Sequence, residues 1–578
     1  MNFRHIYAII PDDLLNLEQK EDGVKRYARI IGGWGVFVAI LFCNGLTARL
    51  YALEESTQQG GSNAVAVHNL GETGEGVNVG LMLIGNVRTT HEAFTDDNGV
   101  SHAFNRDFTG GGISISSHDT QLAGIISSRG GVAYPNDIGV APGADTYCAR
   151  VIDNWTVLNN AFNWLIDTNN CRVIVTGFAL IGPAPDGNSQ WTMLYDYYAY
   201  QYGVIFANPA GNENTFVAIL GDAYNGITTG GLRLNDPNNQ YEYRRVGSIS
   251  GSGPTPDGRR KPDITAPAQS QTVPTSGSDT TWTTVGTTYG ETSYSVPQMA
   301  GAAALLIGLA DDTAEPNDNS SEVIKAVVVN SAMPNVNNKT GVSTNPADSN
   351  NTWNAHRGYG RLDVLRAYQT LNTNEVEPDL SITQDKGWGS GRLEQDQNNI
   401  YTISVVTRCR LIATVTWQRR IEWVDERHGI PPQYNGIIEP DELHPYLADL
   451  DMIVYSPNEP NAIFSEDVFG IDPNNNLEKC DLLIIEPGDY TIIIANDSTN
   501  GEAADYGFAF ELHPVPSGDL PPFDYSVDFT DLSFLVTDWL ADDSTFDMLL
   551  VPDGIIDFVD FARLGNSWLE IDPLYYQF

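Results

Sequence analysis

Positive charge is the first thing this chain lacks. Lys and Arg number 31 against 74 Asp and Glu, a formal net charge of −43 at pH 7 with a pI near 4.3. A chain of that sign repels phosphate backbones and anionic lipid, which argues against nucleic acid as a partner. It leaves cations as ligands, calcium among them, although most of the carboxylates read as solvated surface. Cysteine is scarce too, with five in 578 residues. Cys43 falls in an N-terminal apolar stretch, so Cys148, Cys171, Cys409 and Cys480 remain and allow no more than two bridges. Cys148–Cys171 and Cys409–Cys480 would each lie within one domain, and the second pair is expected to cross a β-sandwich. Four cysteines permit three connectivities, so the sequence alone proves neither pair.

Long apolar runs are also missing, except near the N-terminus, so no later segment is expected to span a membrane. In "KRYARIIGGWGVFVAILFCNGLTARLYA", Lys25, Arg26 and Arg29 precede an apolar run from Ile30 to Leu46, with Ala48 or Ala52 as cleavage points. This reads as a signal peptide with a long polar front, or as a single anchor. The run falls short of the roughly 20 apolar residues of a spanning helix. Export with cleavage is therefore expected, to the exterior or the cell envelope. Membrane contact is expected only if segment 1–52 is retained.

What is present describes a folded, loop-rich protein: 41% apolar residues and 54 glycines. The length predicts two or more domains. From about Val77 to Thr370, buried-strand runs ("GVNVGLMLI", "DTYCARVI", "CRVIVTGFAL", "YGVIFANPAG") alternate with helical stretches ("SHDTQLAGIISSR", "LNNAFNWLID", "WTMLYDYYAYQ", "VPQMAGAAALLIGLA"). That alternation predicts an α/β fold, a parallel sheet with helices on both faces, over 53–371. The glycines of "GETGEGVNVG" precede a strand instead of following one, so they are not a dinucleotide loop. Short β runs between turn residues predict an all-β sandwich over 372–516. In 517–578, "VDFTDLSFLVTDWL" and "IDFVDFARLGNSWL" repeat, with Asp528 and Asp557 29 positions apart. Each copy is an acidic entry and an amphipathic helix, and two such units can bury their apolar faces against each other.

Four stretches carry chemistry. In "GETSYSVPQMAGAAALL", Ser293 precedes Pro297, which is expected in the first turn of a helix. A serine there lies at the positive end of the helix dipole among free backbone N–H groups, which can stabilise an oxyanion. Taken alone, the segment reads more simply as a serine cap. "SHDTQLAGIISS" opens a helix with His118, "FANPAGNEN" puts Asn212 in a turn at a strand end, and "SGPTPDGRRKPDITAP" is a distinctive loop.

In order and separation these stretches resemble subtilisin-like serine proteases (subtilases), in the branch with a C-terminal β-sandwich. The resemblance covers about Gly74 to Thr370 and includes "GVAPGADTYCARVI". It implies a subtilisin-like fold and a serine endopeptidase acting on polypeptides through an acyl-enzyme, with no required cofactor. Ser293 would be the nucleophile, His118 the general base and then acid, and Asn212 the oxyanion donor. The chemistry needs these types because an unassisted serine hydroxyl is a weak nucleophile.

The family's triad aspartate is missing. The first strand reads "VGLMLIGNV", with Leu83 at that position if Gly85 is matched, or Ile84 if His91 is matched. Asp119, Gln121 and Glu291 also depart from the family pattern, as does the cleft wall "GFAL" (Gly177 to Leu180). About 20 residues between Ala52 and Gly74 are too few for the family's folded propeptide. Three groups are weighed as substitutes. Glu291 is near Ser293 in sequence and is the candidate to orient the imidazole, Asn86 could accept a hydrogen bond but carries no charge, and Asp119 is adjacent to His118, where i,i+1 neighbours on a helix are not expected to face each other. A His–Ser dyad with an oxyanion hole is therefore expected. The alternative is an inactive subtilase fold used for binding or assembly.

The C-terminal repeat resembles dockerin-type calcium loops. Asp524, Asp528 and Asp531, and Asp553, Asp557 and Asp560, fall at loop positions 5, 9 and 12. Leu520, Pro522, Leu549 and Val551 replace the ligands at positions 1 and 3. A structural helix pair is thus expected ahead of calcium binding, with a protein docking partner as a further expectation.

Overall fold

Asn78–Leu83 (β1) is apolar on both faces and buried from Val79 onward, as a strand between two helix layers must be. In this computed structural model it sits at the middle of the principal sheet. The structure describes residues 53–578 other than 181, 183–184, 214, 237–239, 287–288, 346–351, 425–441, 459–460, 466–473, 517–518, 520–525, 538–560, 563, 566, 573 and 576–578. The expected signal peptide or anchor at 1–52 lies outside them.

The sheet continues with β2 (Ala103–Asp107), β3 (Asp145–Arg150), β4 (Cys171–Thr176), β5 (Ile205–Pro209), β6 (Ile227–Asp236), β7 (Gln240–Val246) and β8 (Ile264–Pro267). Its order is β2-β3-β1-β4-β5-β6-β7, with β8 also beside β6. All pairings are parallel except β6 with β7. A hairpin of β9 (Gln271–Pro274) and β10 (Trp282–Val285) stands beside it.

The helices follow the predicted stretches: α1 (Ser117–Ser127), α2 (Trp155–Asn163, ending in a π turn over Trp164–Thr168), α3 (Gln190–Tyr202) and α4 (Thr292–Asp311). Helix α4 is long and apolar enough to cross a membrane, yet 89% of that window is buried inside the protein. Its small residues explain how: a Cβ on Gly301 would come within 2.5 Å of Val140 Cβ. Pro297 lies one turn further in than expected. It has no N–H to donate to the Ser293 carbonyl, so that carbonyl is freed from the helical ladder.

The C-terminal β runs form two packed sheets. One holds β11 (Ser381–Ile382), β13 (Asn398–Val405), β20 (Gly488–Asn496), β17 (Leu450–Tyr455) and β18 (Ala462–Ser465). The other holds β12 (Lys386–Leu393), β21 (Ala504–Pro514), β14 (Cys409–Trp417) and β19 (Leu477–Ile484). A small hairpin, β15 (Arg420–Trp423) with β16 (Leu443–Tyr446), packs near α3. The second sheet lies on α5 (Ser321–Asn330) and α6 (Val364–Leu371). Gly507 of β21 permits this: a Cβ there would meet the Glu322 backbone at 2.3 Å. Trp388, Leu477 and Ala509 join the same apolar cluster as β1 and α4, so the sandwich and the α/β part share one core.

The disulfide expectation fails. All four described cysteines are free and buried. Cys409 stands opposite Ile484, and Cys480 opposite Ala413. The two are four positions out of register, roughly 13 Å along the strands, beyond the reach of a bridge. Burial pushes both thiols up to about 12, so they behave as small apolar side chains.

In the C-terminal repeat the first copy forms α7 (Phe529–Thr537). The two copies meet: the Phe529 and Trp568 rings are 5.2 Å apart edge-on, and Leu569 N–H donates to the Val527 carbonyl. Asp531 Oδ2 accepts from Asp528 N–H at 2.9 Å and Asp528 Oδ1 from Thr530 N–H at 2.6 Å, so both carboxylates serve the start of α7. Asp524, Asp553, Asp557 and Asp560 lie outside the described residues.

The following segment returns to the sandwich. Tyr575 is buried against Ile412, its hydroxyl donates to Asp481 at 2.7 Å, and His513 Nε2 lies 3.0 Å from Asp572. Burial alone would lower the His513 pKa, but its bonds to Asp572 and Glu511 outweigh burial and raise it. Its stabilising contribution is therefore complete below about pH 6.5, the unfolded value, and is lost as pH rises through the folded pKa. His513→Gln should remove that component: in urea unfolding, wild type should lose its advantage over the variant between neutral and alkaline pH.

Candidate active site

The site is assembled by loops stitched to the C-terminal ends of β1 and β5. At the end of β1, Asn86 holds the approach to α1. Its N–H donates to the Ser114 carbonyl, Ser114 N–H donates to Asn86 Oδ1, both at 2.8 Å, and Ser116 N–H donates to the Asn86 carbonyl. Ser116 caps α1, and Thr120 Oγ1 accepts from Arg88 N–H. These bonds set the first turn of α1, and with it His118, over the strand end. The His118 side chain is 40% exposed.

At the end of β5, Gly211 takes a φ of 90° that suits glycine, and its N–H donates to Thr292 Oγ1 at 3.2 Å. The Asn212 Oδ1 next to it accepts from Thr292 N–H at 2.9 Å and from Thr292 Oγ1 at 3.0 Å. Two donors on one oxygen fix the amide's orientation, and among the described residues its Nδ2–H donors have no partner. Thr292 opens α4 immediately before Ser293, which is half-buried in that first turn. Ser295, by contrast, is buried and donates to the Thr292 carbonyl.

Tyr294 links the two helices. Its ring lies 5.8 Å from the His118 ring, and its hydroxyl donates to Gln121 Oε1 at 3.2 Å. His118, Asn212 and Ser293 are thus gathered where α1, the β5 turn and α4 begin. Ser293 and His118 make no hydrogen bond to each other. Glu291 makes none with His118 either, and its Oε2 is buried without a partner. Asn86 Oδ1 is occupied by the Ser114 N–H, while its Nδ2 is buried without a partner.

The carboxylate that reaches His118 is Asp119: its Oδ1 lies 3.3 Å from His118 Nδ1, and its Oδ2 accepts from Gly85 N–H at 2.6 Å. The spacing rule for helix neighbours failed because both residues lie in the first turn, where the strand end supplies a donor that draws the carboxylate back. Nothing local in the sequence marks that donor. Leu83 is fully buried in the main core, and Ile84 is 64% exposed.

The "SGPTPDGRRKPDITAP" loop is a packing element. Lys261 is paired with Asp263 at 2.7 Å, and Arg259 lies 3.8 Å over the Tyr224 ring. Thr292, Tyr294 and Gly85 were missed by sequence reasoning, because their roles exist only across the fold.

The chain matches the model of the Subtilase family over residues 53–360, more than half its length. Subtilisin NAT of Bacillus subtilis subsp. natto is 30% identical over 262 residues, covering 42% of this chain and 58% of that protein. Pyrolysin of Pyrococcus furiosus is 25% identical over 263 residues, covering 40% of this chain and 18% of its own. The chain thus spans little more than half the length of the first of these relatives. Among solved structures, the prenylagaramide maturation protease PagA aligns with a TM-score of 0.41 at 19% identity, over 54% of this chain and 98% of its own. On the family match, this chain belongs to the subtilase family of serine proteases.

Proposed function

We propose that this protein is an exported serine endopeptidase that hydrolyses polypeptides through an acyl-enzyme on Ser293. His118 takes the proton from Ser293 Oγ as the oxygen attacks the carbonyl carbon, then returns it to the leaving amine. Asn212 Nδ2 and the Ser293 N–H stabilise the oxyanion, the neighbouring Thr292 and Tyr294 N–H groups being committed to Asn212 Oδ1 and the Glu291 carbonyl. The chemistry needs no cofactor, and β1 contributes no acid to the His–Ser pair. The observation that carries this reading is the pair of hydrogen bonds that Thr292 donates to Asn212 Oδ1. It fixes an uncommitted amide donor beside the residue preceding the nucleophile. The paired C-terminal repeat is read as structural, with a protein docking partner as its further role.

The missing hydrogen bond between Ser293 and His118 favours a second reading, a subtilase fold that binds without cleaving. A fluorophosphonate probe separates the two. Covalent labelling of the wild type that disappears in both Ser293→Ala and His118→Ala is expected of the enzyme. A folded wild type that takes no label refutes the enzymatic reading and leaves the binding module standing.

A further inference from the structure

We propose that Asp119 is the positioning residue for His118, supplying from the adjacent place in the helix the carboxylate that β1 lacks. The inference rests on the assignment of Ser293 and His118 above. At the end of β1, Leu83 is buried among apolar side chains and Ile84 faces solvent, so neither can hold an imidazole. The next residue is a glycine, and the absence of its side chain makes the room. A Cβ on Gly85 would fall 2.6 Å from Asp119 Oδ2 and 2.7 Å from Ser116 Cβ.

The Asp119 carboxylate fills that space. Its Oδ2 is anchored by the Gly85 N–H at 2.6 Å, and its Oδ1 lies 3.3 Å from His118 Nδ1. The side chain is only 5% exposed, and among the described residues its one ion-pairing partner is His118. A buried carboxylate held by one amide and facing one imidazole selects the Nδ1–H tautomer. That leaves the Nε2 lone pair to accept the Ser293 proton. As Oγ bonds to the substrate carbon and the proton moves to Nε2, the ring becomes an imidazolium. The Asp119 carboxylate balances the new charge until the proton passes to the leaving amine. The 3.3 Å separation should shorten at that point, because charge-assisted bonds of this kind close to about 2.7–2.9 Å.

The test uses the full-length protein and three variants. Asp119→Asn keeps an oxygen for the Gly85 amide but loses the charge. Gly85→Ala keeps the carboxylate but occupies its place. His118→Gln assigns the imidazole signals. Asp119→Asn is expected to lower kcat on a chromogenic peptide about 10²- to 10⁴-fold with KM little changed, by analogy with losing the aspartate of a serine triad. Gly85→Ala should fall in the same direction, and the double variant should lose little more than Asp119→Asn alone. Nitrogen-15 chemical shifts should report Nδ1–H at His118 in the wild type and lose that signature in Asp119→Asn. An active wild type whose Asp119→Asn keeps both its kcat and its tautomer overturns the inference while leaving the proposed function standing. If the wild type neither takes a fluorophosphonate nor cleaves peptide, the proposed function falls. The tautomer comparison then decides the positioning role by itself: a change upholds it, and no change refutes it.

Discussion

Leu83→Asp is expected to destabilise the protein by about 5 kcal/mol instead of repairing the catalytic apparatus. The resemblance puts Leu83 or Ile84 at the place of the family aspartate, which makes the substitution attractive on sequence grounds. In the fold, however, Leu83 is fully buried in the same apolar cluster as Leu122 and Val175. A Cβ on Gly177 would meet Leu83 Cδ2 at 2.6 Å, so the side chain is closely packed on that side. Truncating a buried leucine costs about 2–5 kcal/mol. Burying a carboxyl without compensating hydrogen bonds adds roughly 2 kcal/mol or more. Burial would raise the new carboxyl's pKa above its unfolded value. The folded state then binds the extra proton, and stability falls as pH rises above about 4. Urea titrations at pH 5 and pH 8 should therefore show the larger deficit at pH 8. A variant as stable as wild type at pH 8, with faster peptide cleavage, would mean that the strand position still accepts a catalytic acid.

Asp196→Ala should cost about 3–5 kcal/mol, because it strands a buried cation. Asp196 on α3 is fully buried, and it accepts from Arg419 Nη2 and from Asn225 N–H at 2.6 and 2.9 Å. Arg419, in the link between β14 and β15, also donates to the Gly187 carbonyl at 2.7 Å and lies 4.0 Å over the Tyr224 ring. Arg259 occupies the other contact with that ring at 3.8 Å. Without Asp196, two guanidiniums share one aromatic ring, one of them having lost its carboxylate. The same change also leaves the Asn225 N–H without its acceptor. Replacing the pair together, as Asp196→Leu with Arg419→Met, should restore much of the loss, because no unpaired charge is left behind. Unfolding midpoints of the two single variants and the double measure this directly. Strictly additive losses would show that the pair is not coupled.

The sequence by itself determined the strand–helix alternation, the parallel sheet and the sandwich, whereas His118, Asn212 and Ser293 were singled out by the resemblance to a family. Each of these is a local signal. Apolar runs with both faces buried specify parallel strands. Short serine-, asparagine- and glycine-bearing stretches mark the turns at which strands hand over to helices. The repeat at 517–578 is a reading of the sequence, in which the two copies share the Asp528/Asp557, Asp531/Asp560 and Trp539/Trp568 positions.

Only the tertiary structure decided what those signals do together. Cys409 and Cys480 are candidate partners by sequence because both lie in or beside β runs of one domain, but register is set by the whole sheet, and it leaves them four positions apart. Glu291 looked close to the site because it is close in sequence, whereas its Oε2 is buried without a partner. Asp119 was set aside on the spacing of helix side chains, a rule that holds where one turn stacks on another. At the first turn of α1 there is no preceding turn, and the group that orients the carboxylate is the N–H of Gly85, 34 residues earlier in the chain. A contact between a strand end and a helix start has no period and no motif, so it comes into existence only when the sheet has folded.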